Sequence, residues 1–576
     1  MHLPRLRFES LLIESHHMPS TLLRPPAKPS PQARVAQVAP PTPPAPAKRS
    51  APLLVSVAAA LLSGALLGGA TALQQVSSAY VVLAWVWLLP LLFALGPSSS
   101  KRRWFGCACL AGTVTTVTAT YGLLPALGRL AYLYVPLGGL TLASPFLLFF
   151  VVRRRTGVTA ALWTLPFAWV CTEWMFTHLQ GLPPFLVLAY SQANATWLVQ
   201  FTDLFGDAGL TAWLVLLNVA LYHACARSKA AALRRLLAPL LLVILPLGYS
   251  AVRLQAPNGK PWYHVLVVQP AAENEDKPAL LLTSLVQSTD AAVDRSKPDL
   301  ILWPEMAAAY DLEHELTPRE ALADSVSVWG TPLVTGGLST HSRSLGILQR
   351  GTAGSGANQY LNSTYVLLPG APGSTAERTQ VLPPHGKHRL VPFVEGLPYA
   401  NVGWVRRLYR RWHWDKSMPF SPGQDYRVFR YTDDTNAILH FASLICWEEM
   451  YGEDVAEYVR RGAEFLVTGT RDPSLPIADI HASIARLHAL AVRRPIVRAN
   501  ARGVSGAYDA EGRILARSTP LRPTSLEAII APSEGLSFYV QHPQVPASTA
   551  ALALLAVVLI RPRRESRNNR EKRRSI

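Results

Sequence analysis

The stretch ASLICWEEMYGE, residues 442–453, closes an apolar run on a cysteine and sets two glutamates almost beside it. The longer segment AILHFASLIC reads as a buried β-strand, so Cys446 stands at a strand's carboxyl end. In layered α/β sheets, functional groups gather at such ends. Neighbouring negative charge disfavours a thiolate, so a reactive Cys446 needs a compensating cation from elsewhere in the chain.

Working outward from that strand, apolar runs of period two alternate with amphipathic helices. HVLVVQP (264–270) is a short strand, and LLLTSLVQSTDAAVD (280–294) follows as a helix. DLILWPE (299–305) is a buried strand ended by proline. TPREALADSVSVWG (317–330) is expected to open with Thr317 as cap and Pro318 at the first helical position. TPLVTGG, NSTYVLLPG and AEFLVTG are further strands, and ADIHASIARLHALAVRR (478–494) is a helix. PIVRAN, GVSGAYDAEGRIL with its DAEG turn, and SLEAII complete a layered α/β pattern. There is no GxGxxG, no P-loop and no metal-ligand cluster of proper spacing, and no cofactor is expected.

The rest of the 576 residues has a different character. Seven apolar runs, near 51–73, 79–96, 104–126, 131–151, 157–177, 207–226 and 233–252, are each close to the length of a transmembrane helix. KRR at 101–103, RRR at 153–155 and RSKAAALRR at 227–235 lie on one side, and Arg129 is the exception on the other. By the positive-inside rule the basic side is cytoplasmic, so residues from about 253 emerge outside. An eighth run, ASTAALALLAVVLI (547–560), precedes the strongly basic RPRRESRNNREKRR and returns the chain to the cytoplasm. The expected organisation is a Pro/Ala-rich disordered tail (1–50), a seven-span bundle (51–252), an extracytoplasmic domain (253–545), an eighth span (546–561) and a basic tail (562–576). The formal charge of +18 follows from this topology and from attraction to anionic lipid, which argues against nucleic-acid binding. Of five cysteines, Cys107, Cys109, Cys171 and Cys225 fall in or at the ends of apolar runs. Cys446 is alone in its domain, so an intradomain disulfide is excluded.

Three ionisable residues stand at or just past strand ends: Glu305 in LILWPE, Lys387 at the head of KHRLVPFVEGLP, and Cys446. Together they compose a nucleophilic site with Cys446 as nucleophile, Glu305 as base, and Lys387 as the cation that offsets nearby acids and stabilises an oxyanion.

WPE, K..LVPF.E..P with Lys387 and Glu395, and ICWEE resemble, in order and approximate spacing, the nitrilase or carbon–nitrogen hydrolase superfamily. GLPPFLVLAYSQ (181–192), YLNST (360–364) and RPIVRANARGVSGAYDAEGRIL (494–515), with seven spans, one domain and a final span, narrow the resemblance to the bacterial apolipoprotein N-acyltransferases. It covers about residues 50–560. The resemblance implies a polytopic α-helical membrane bundle of about eight spans plus an extracytoplasmic nitrilase-like α/β domain of αββα layers. It implies an inner-membrane, ping-pong acyltransferase that works as a monomer. The acyl donor would be a membrane phospholipid and the acceptor a diacylglyceryl-modified apolipoprotein, with a Cys446 thioester between them. Glu395 would orient Lys387 or Glu305, amides near Trp447 would help hold the oxyanion, and Glu448 would shape the pocket. The alternative is a membrane-tethered amidase using the same Glu-Lys-Cys site, with water resolving the acyl-enzyme. This sequence departs from the family pattern in TGTRDPSLPIADIH (468–481), where only Asp472 echoes it. It departs also at Trp447 in place of Tyr, in PFVEG (392–396), and in AAENEDKP (271–278), which lacks an expected tryptophan.

Overall fold

A computed structural model describes residues 51–96, 99–181, 184–225, 232–255, 259, 262–274, 276–340, 360–370, 379–412, 420–432, 438–472 and 474–559. The expected tails 1–50 and 562–576, and residues 227–231 of the basic loop, lie outside the described residues.

Helices occupy each of the eight apolar runs. Five helical stretches are long and apolar enough to cross a membrane: Leu53–Leu73, Ser78–Leu95, Leu124–Thr156, Val199–Cys225 and Arg234–Gln255. The other runs differ for local reasons. The helix Lys101–Ala119 spends its first turn on Lys101, Arg102 and Arg103. The run 157–177 is split into Val158–Trp163 and Leu165–His178, with Pro166 in the first turn of the second helix, where a missing N–H costs nothing. The last helix, Val545–Leu559, has 15 residues. The second stretch is a 3-10 turn run (Ser78–Trp85) followed by a short α-helix (Leu89–Leu95). Asn218 repairs the break by accepting from Leu88 N at 3.0 Å and donating to Ala84 O at 3.0 Å. In an apolar surround an unmet amide at that break would be expensive, so this polar side chain belongs inside the bundle.

Beyond residue 262 the chain builds two sheets. One runs Thr524–Ile530, Tyr263–Gln269, Leu300–Leu302, Leu333–Thr340, Tyr360–Leu368, Gln380–Val381, with Ala308–Asp311 and His385–Gly386 paired at its margins. The other runs Ile514–Arg517, Gly506–Tyr508, Ile496–Asn500, Phe465–Thr470, Ile438–Ile445, Val428–Thr432. The central strands of each are parallel and the outer pairs antiparallel. Val267, Leu302 and Val334 of the first sheet meet Phe441, Val467 and Val497 of the second in one apolar core. Helices Pro278–Ser296 and Leu316–Trp329 cover the first sheet, and Gly452–Arg460 and Leu475–Val492 cover the second. The result is the four-layer αββα arrangement, in which strands buried on both faces read as continuous apolar runs.

The expected Thr317 cap does not form. The helix starts at Leu316 with Glu315 at its N-cap, and no side chain caps it. Glu315 turns back instead, accepting from Asp311 N at 2.9 Å, so the preceding turn claims the cap position.

Candidate active site

Each of the central residues is placed by a strand that is stopped on purpose. Pro304 has no N–H to continue the ladder, so Leu300–Leu302 ends and the chain turns, with Met306 at φ +56°. The Glu305 turn passes between Gly336 of the first sheet and Gly469 of the second. A Cβ on Gly336 would lie 2.4 Å from Met306 N, and one on Gly469 would lie 3.0 Å from Glu305 N. Lys387 follows the short pairing of His385–Gly386 with Tyr360–Leu368. Its backbone is fixed on both sides, its N–H to Asn362 O at 2.8 Å and its carbonyl from Gly423 N at 2.7 Å. Cys446 follows Ile438–Ile445 and opens a 3-10 turn with its own φ at +55°, a conformation a non-glycine residue holds only under local constraint.

These elements bring Glu305, Lys387 and Glu395 into direct contact. Lys387 Nζ donates to Glu305 Oε1 at 3.0 Å and to Glu395 Oε1 at 2.7 Å. Glu395 is anchored through its other oxygen, which accepts from Val391 N at 2.8 Å. Lys387 is 1% exposed and Cys446 9%. Burial opposes the Lys387 charge, but Glu305 and Glu395 more than reverse it and hold the ammonium well above its usual range, with Cys446 also within electrostatic reach. Burial pushes the Glu305 carboxyl up against the pull of Lys387. Burial, then the charge of Glu305, push the Cys446 thiol well up, with Lys387 opposing them. At rest the arrangement is thus a protonated thiol within electrostatic reach of a charged ammonium.

The glutamates that follow the cysteine face other partners. Glu448 Oε2 accepts from Ile445 N at 2.7 Å, and Oε1 accepts from His388 N at 2.5 Å and Arg389 N at 3.3 Å. It straps the cysteine turn to the segment after Lys387. Trp447 reinforces the strap, its Nε1–H donating to Arg389 O at 2.6 Å. Glu449 pairs with Arg498 at 2.7 Å and His481 at 3.0 Å.

Two features escaped the sequence reading. Asn362, inside the YLNST strand, donates to Glu305 Oε1 at 2.7 Å and Glu395 Oε1 at 3.2 Å, fixing both acids around the lysine. Its signal was the polar Asn-Ser-Thr run in the middle of an otherwise apolar strand, in the YLNST segment. Asp472, the one residue of 468–481 that echoes the family pattern, has a structural role that the sequence did not show. It joins a second buried cluster, bonded to His481 at 2.7 Å, Arg498 at 2.8 Å and Asn500 at 2.5 Å. Burial opposes its ionisation, but Arg498 and His481 outweigh it and hold the carboxyl well below the usual range. As for metals, His385, His388 and Glu448 offer ligand atoms within 4.8 Å of one another. Tyr458 OH already bridges the two imidazoles at 3.0 and 3.2 Å, and Glu448 is spent on amides, so the group is closed by its own hydrogen bonds.

The bundle grips this site from behind. Tyr190 of the YSQ segment donates to Met450 O at 2.6 Å, in the turn that begins with Cys446. His488 bridges Glu449 O at 2.6 Å and Asp207 Oδ2 at 2.9 Å. Arg493 reaches Asp203 at 2.8 Å and Gln200 Oε1 at 2.7 Å.

A buried acid–lysine–cysteine grouping at the strand ends of a four-layer sandwich, seated on an apolar helical bundle, defines a membrane-anchored enzyme of carbon–nitrogen hydrolase type. Residues 265–532 match the carbon–nitrogen hydrolase family, and residues 63–220 match the apolipoprotein N-acyltransferase N-terminal domain. The apolipoprotein N-acyltransferase of Chlorobaculum tepidum is 29% identical over 83% of this chain and 92% of its own length. That of Geobacter metallireducens is 28% identical over 88% and 95%. Among solved structures, an amidase from Nesterenkonia sp. aligns with a TM-score of 0.34 at 16% identity, over 50% of this chain and 96% of that one. The chain carries both of these domains in this order and is similar over most of its length to proteins named apolipoprotein N-acyltransferase.

Proposed function

We propose that this enzyme moves a fatty acyl chain from a membrane phospholipid to the α-amino group of a diacylglyceryl-modified N-terminal cysteine of an apolipoprotein. Cys446 Sγ attacks the ester carbonyl while Glu305 takes the thiol proton. The C–O bond breaks, and Glu305 returns the proton to the departing lysophospholipid. The acceptor amine then attacks the thioester, the C–S bond breaks, and the amine proton passes through Glu305 back to the thiolate. A carboxyl raised by burial suits this shuttle, because it holds a proton more readily than a solvated glutamate and so is the better acceptor from a thiol or an amine. Lys387 has three N–H groups, two of them committed to Glu305 and Glu395. The third remains for the oxyanion, together with amides near Trp447. Glu395 and Asn362 hold the lysine and base in register, and Glu448 braces the pocket.

The observation that carries this reading is the direct Glu305–Lys387–Glu395 contact, buried beside Cys446 and clamped from behind by the bundle. Lipid-anchored donor and acceptor both suit a site fixed to the membrane. The basic loops support a cytoplasmic inner face, with the catalytic domain on the outer side of the inner membrane. The test incubates purified full-length protein with phospholipid and looks for a hydroxylamine-sensitive acyl adduct on Cys446. A diacylglyceryl-cysteine peptide is then added, and the acyl chain is expected on its amine. No adduct, or one that persists in Cys446→Ser, overturns the thioester. Release of free fatty acid without transfer to the peptide points instead to the amidase-like reaction with water.

A further inference from the structure

The helix Gly403–Arg411, GWVRRLYRR, is not used by the chemistry above. It is short but sharply two-faced. Val405 and Tyr409, one turn apart, are buried, whereas Arg407 and Arg411 are exposed on the opposite side, Arg406 is half-buried on the flank, and Trp404 is 64% exposed at the border. Those three arginines make no ion pair among the described residues, and residues 396–412 contain no Asp or Glu. A solvated charged face usually mixes signs, and this one carries only positive charge beside an exposed indole.

Its position is fixed by three contacts. Tyr409 OH donates to Pro398 O at 3.0 Å. Beside Pro398, Tyr399 and Gln180 exchange bonds, Tyr399 N to Gln180 Oε1 at 2.8 Å and Gln180 N to Tyr399 OH at 3.0 Å. Gln180 lies two residues past the bundle helix Leu165–His178, whose last turns leave Trp174 and Met175 partly exposed. The basic helix is therefore moored at the C-terminal end of a bundle helix, which the topology proposed above puts at the outer membrane surface. The Tyr409 ring also packs edge-on against Phe393 at 6.4 Å, two residues from Glu395. The same short segment joins the basic face to the active-site acid.

We propose that Arg406, Arg407 and Arg411, with Trp404 at the interface, form a receptor for the phosphate headgroups of anionic phospholipids, and that it feeds anionic donors to Cys446. The donor role rests on the function proposed above. Guanidinium groups recognise phosphate in a forked geometry, and an amphipathic basic helix with an interfacial aromatic suits an anionic bilayer surface.

Lipid retention tests the receptor without requiring turnover. Detergent-solubilised full-length Cys446→Ala protein is offered an equal mixture of phosphatidylglycerol and phosphatidylcholine, and bound lipid is counted by native mass spectrometry. Phosphatidylglycerol is expected to dominate, and R406Q/R407Q/R411Q to weaken its retention roughly fivefold for each arginine removed. R406K/R407K/R411K, which keeps the charge, is expected to retain part of the preference, and so separates charge from misfolding. Equal retention of both lipids, or a preference that survives the triple glutamine change, overturns the receptor. In the enzyme with Cys446 intact, the triple glutamine change should raise KM for phosphatidylglycerol with kcat kept, and an unchanged KM overturns the feeding role. Selective retention with no acyl adduct on Cys446 would leave the receptor standing and remove the acyl-transfer reading.

Discussion

Two buried ionic clusters lie at the carboxyl ends of the two sheets, and they are wired differently. Around Lys387, two carboxylates share one ammonium, next to a thiol. Around Arg498, two carboxylates, Glu449 and Asp472, are matched by a guanidinium and an imidazole. The second cluster is charge-balanced and fixed by a rigid fork, so it locks the cysteine turn to the core. The first is one cation short and built on a flexible stem with a spare donor, which is what the proposed proton transfer needs. Both lie below the surface, the first slightly less so at Glu395, and they differ in the identity and number of their cations.

The largest expected effect is in the first cluster. Glu305→Gln should lower the rate of acyl-adduct formation by ~10²–10⁴-fold. Lys387→Met should cost roughly 10²–10³-fold. For Glu305→Gln the unfolding midpoint should show that the fold survives, and near-wild-type turnover in either variant would erase the distinction between the clusters. Arg498→Met should act the other way, through stability. Leaving two buried carboxylates without their guanidinium costs about 3–5 kcal/mol, read by denaturant or thermal unfolding in detergent.

The pH dependence sharpens the contrast. In the support cluster, burial works against the His481 charge, but Asp472 and Glu449 raise its pKa to about 9. A raised folded-state pKa gives stability that is full below the unfolded value near 6.5 and is lost as pH rises through about 9. His481→Gln should therefore cost about 3 kcal/mol at pH 6, and the gap to wild type should close above pH 9. In the chemical cluster, burial foremost and the charge of Glu395 after it keep the Glu305 carboxyl raised. The acid limb of kcat/KM should lie above the ordinary carboxylate range, and Glu395→Gln should move it to lower pH. A limb that stays put would detach Glu395 from the base. The smallest effect belongs to Trp447→Phe, which loses one hydrogen bond to Arg389 O and should cost about 1 kcal/mol in unfolding.

Strand ends made the first cluster legible in the sequence. Pro304 marks where one strand stops, and the apolar run before Cys446 marks another, so Glu305, Lys387 and Cys446 stood out by position. Lys387 and Glu395 are eight residues apart and could be read as one motif. The second cluster joins Glu449 to Arg498 across 49 residues, and Asp472 to the same arginine across 26. Those pairings depend on strand order and on which face each residue takes, which the pattern of a single strand does not encode. The split of the 157–177 run and the missing Thr317 cap were hidden for a similar reason. Each turns on a local competitor, Pro166 or the Glu315 carboxylate, whose effect is set by the geometry of the neighbouring turn.

The two glycines flanking the Glu305 turn act as a gauge of the spacing between the sheets. Gly336 belongs to one sheet and Gly469 to the other, and the turn fills the gap between them. A methyl group at either point would work as a shim, wedging Glu305 away from Lys387 while leaving every ionisable group in place. The position of that carboxylate is thereby written in the absence of two side chains, and its tolerance is that of a single carbon atom.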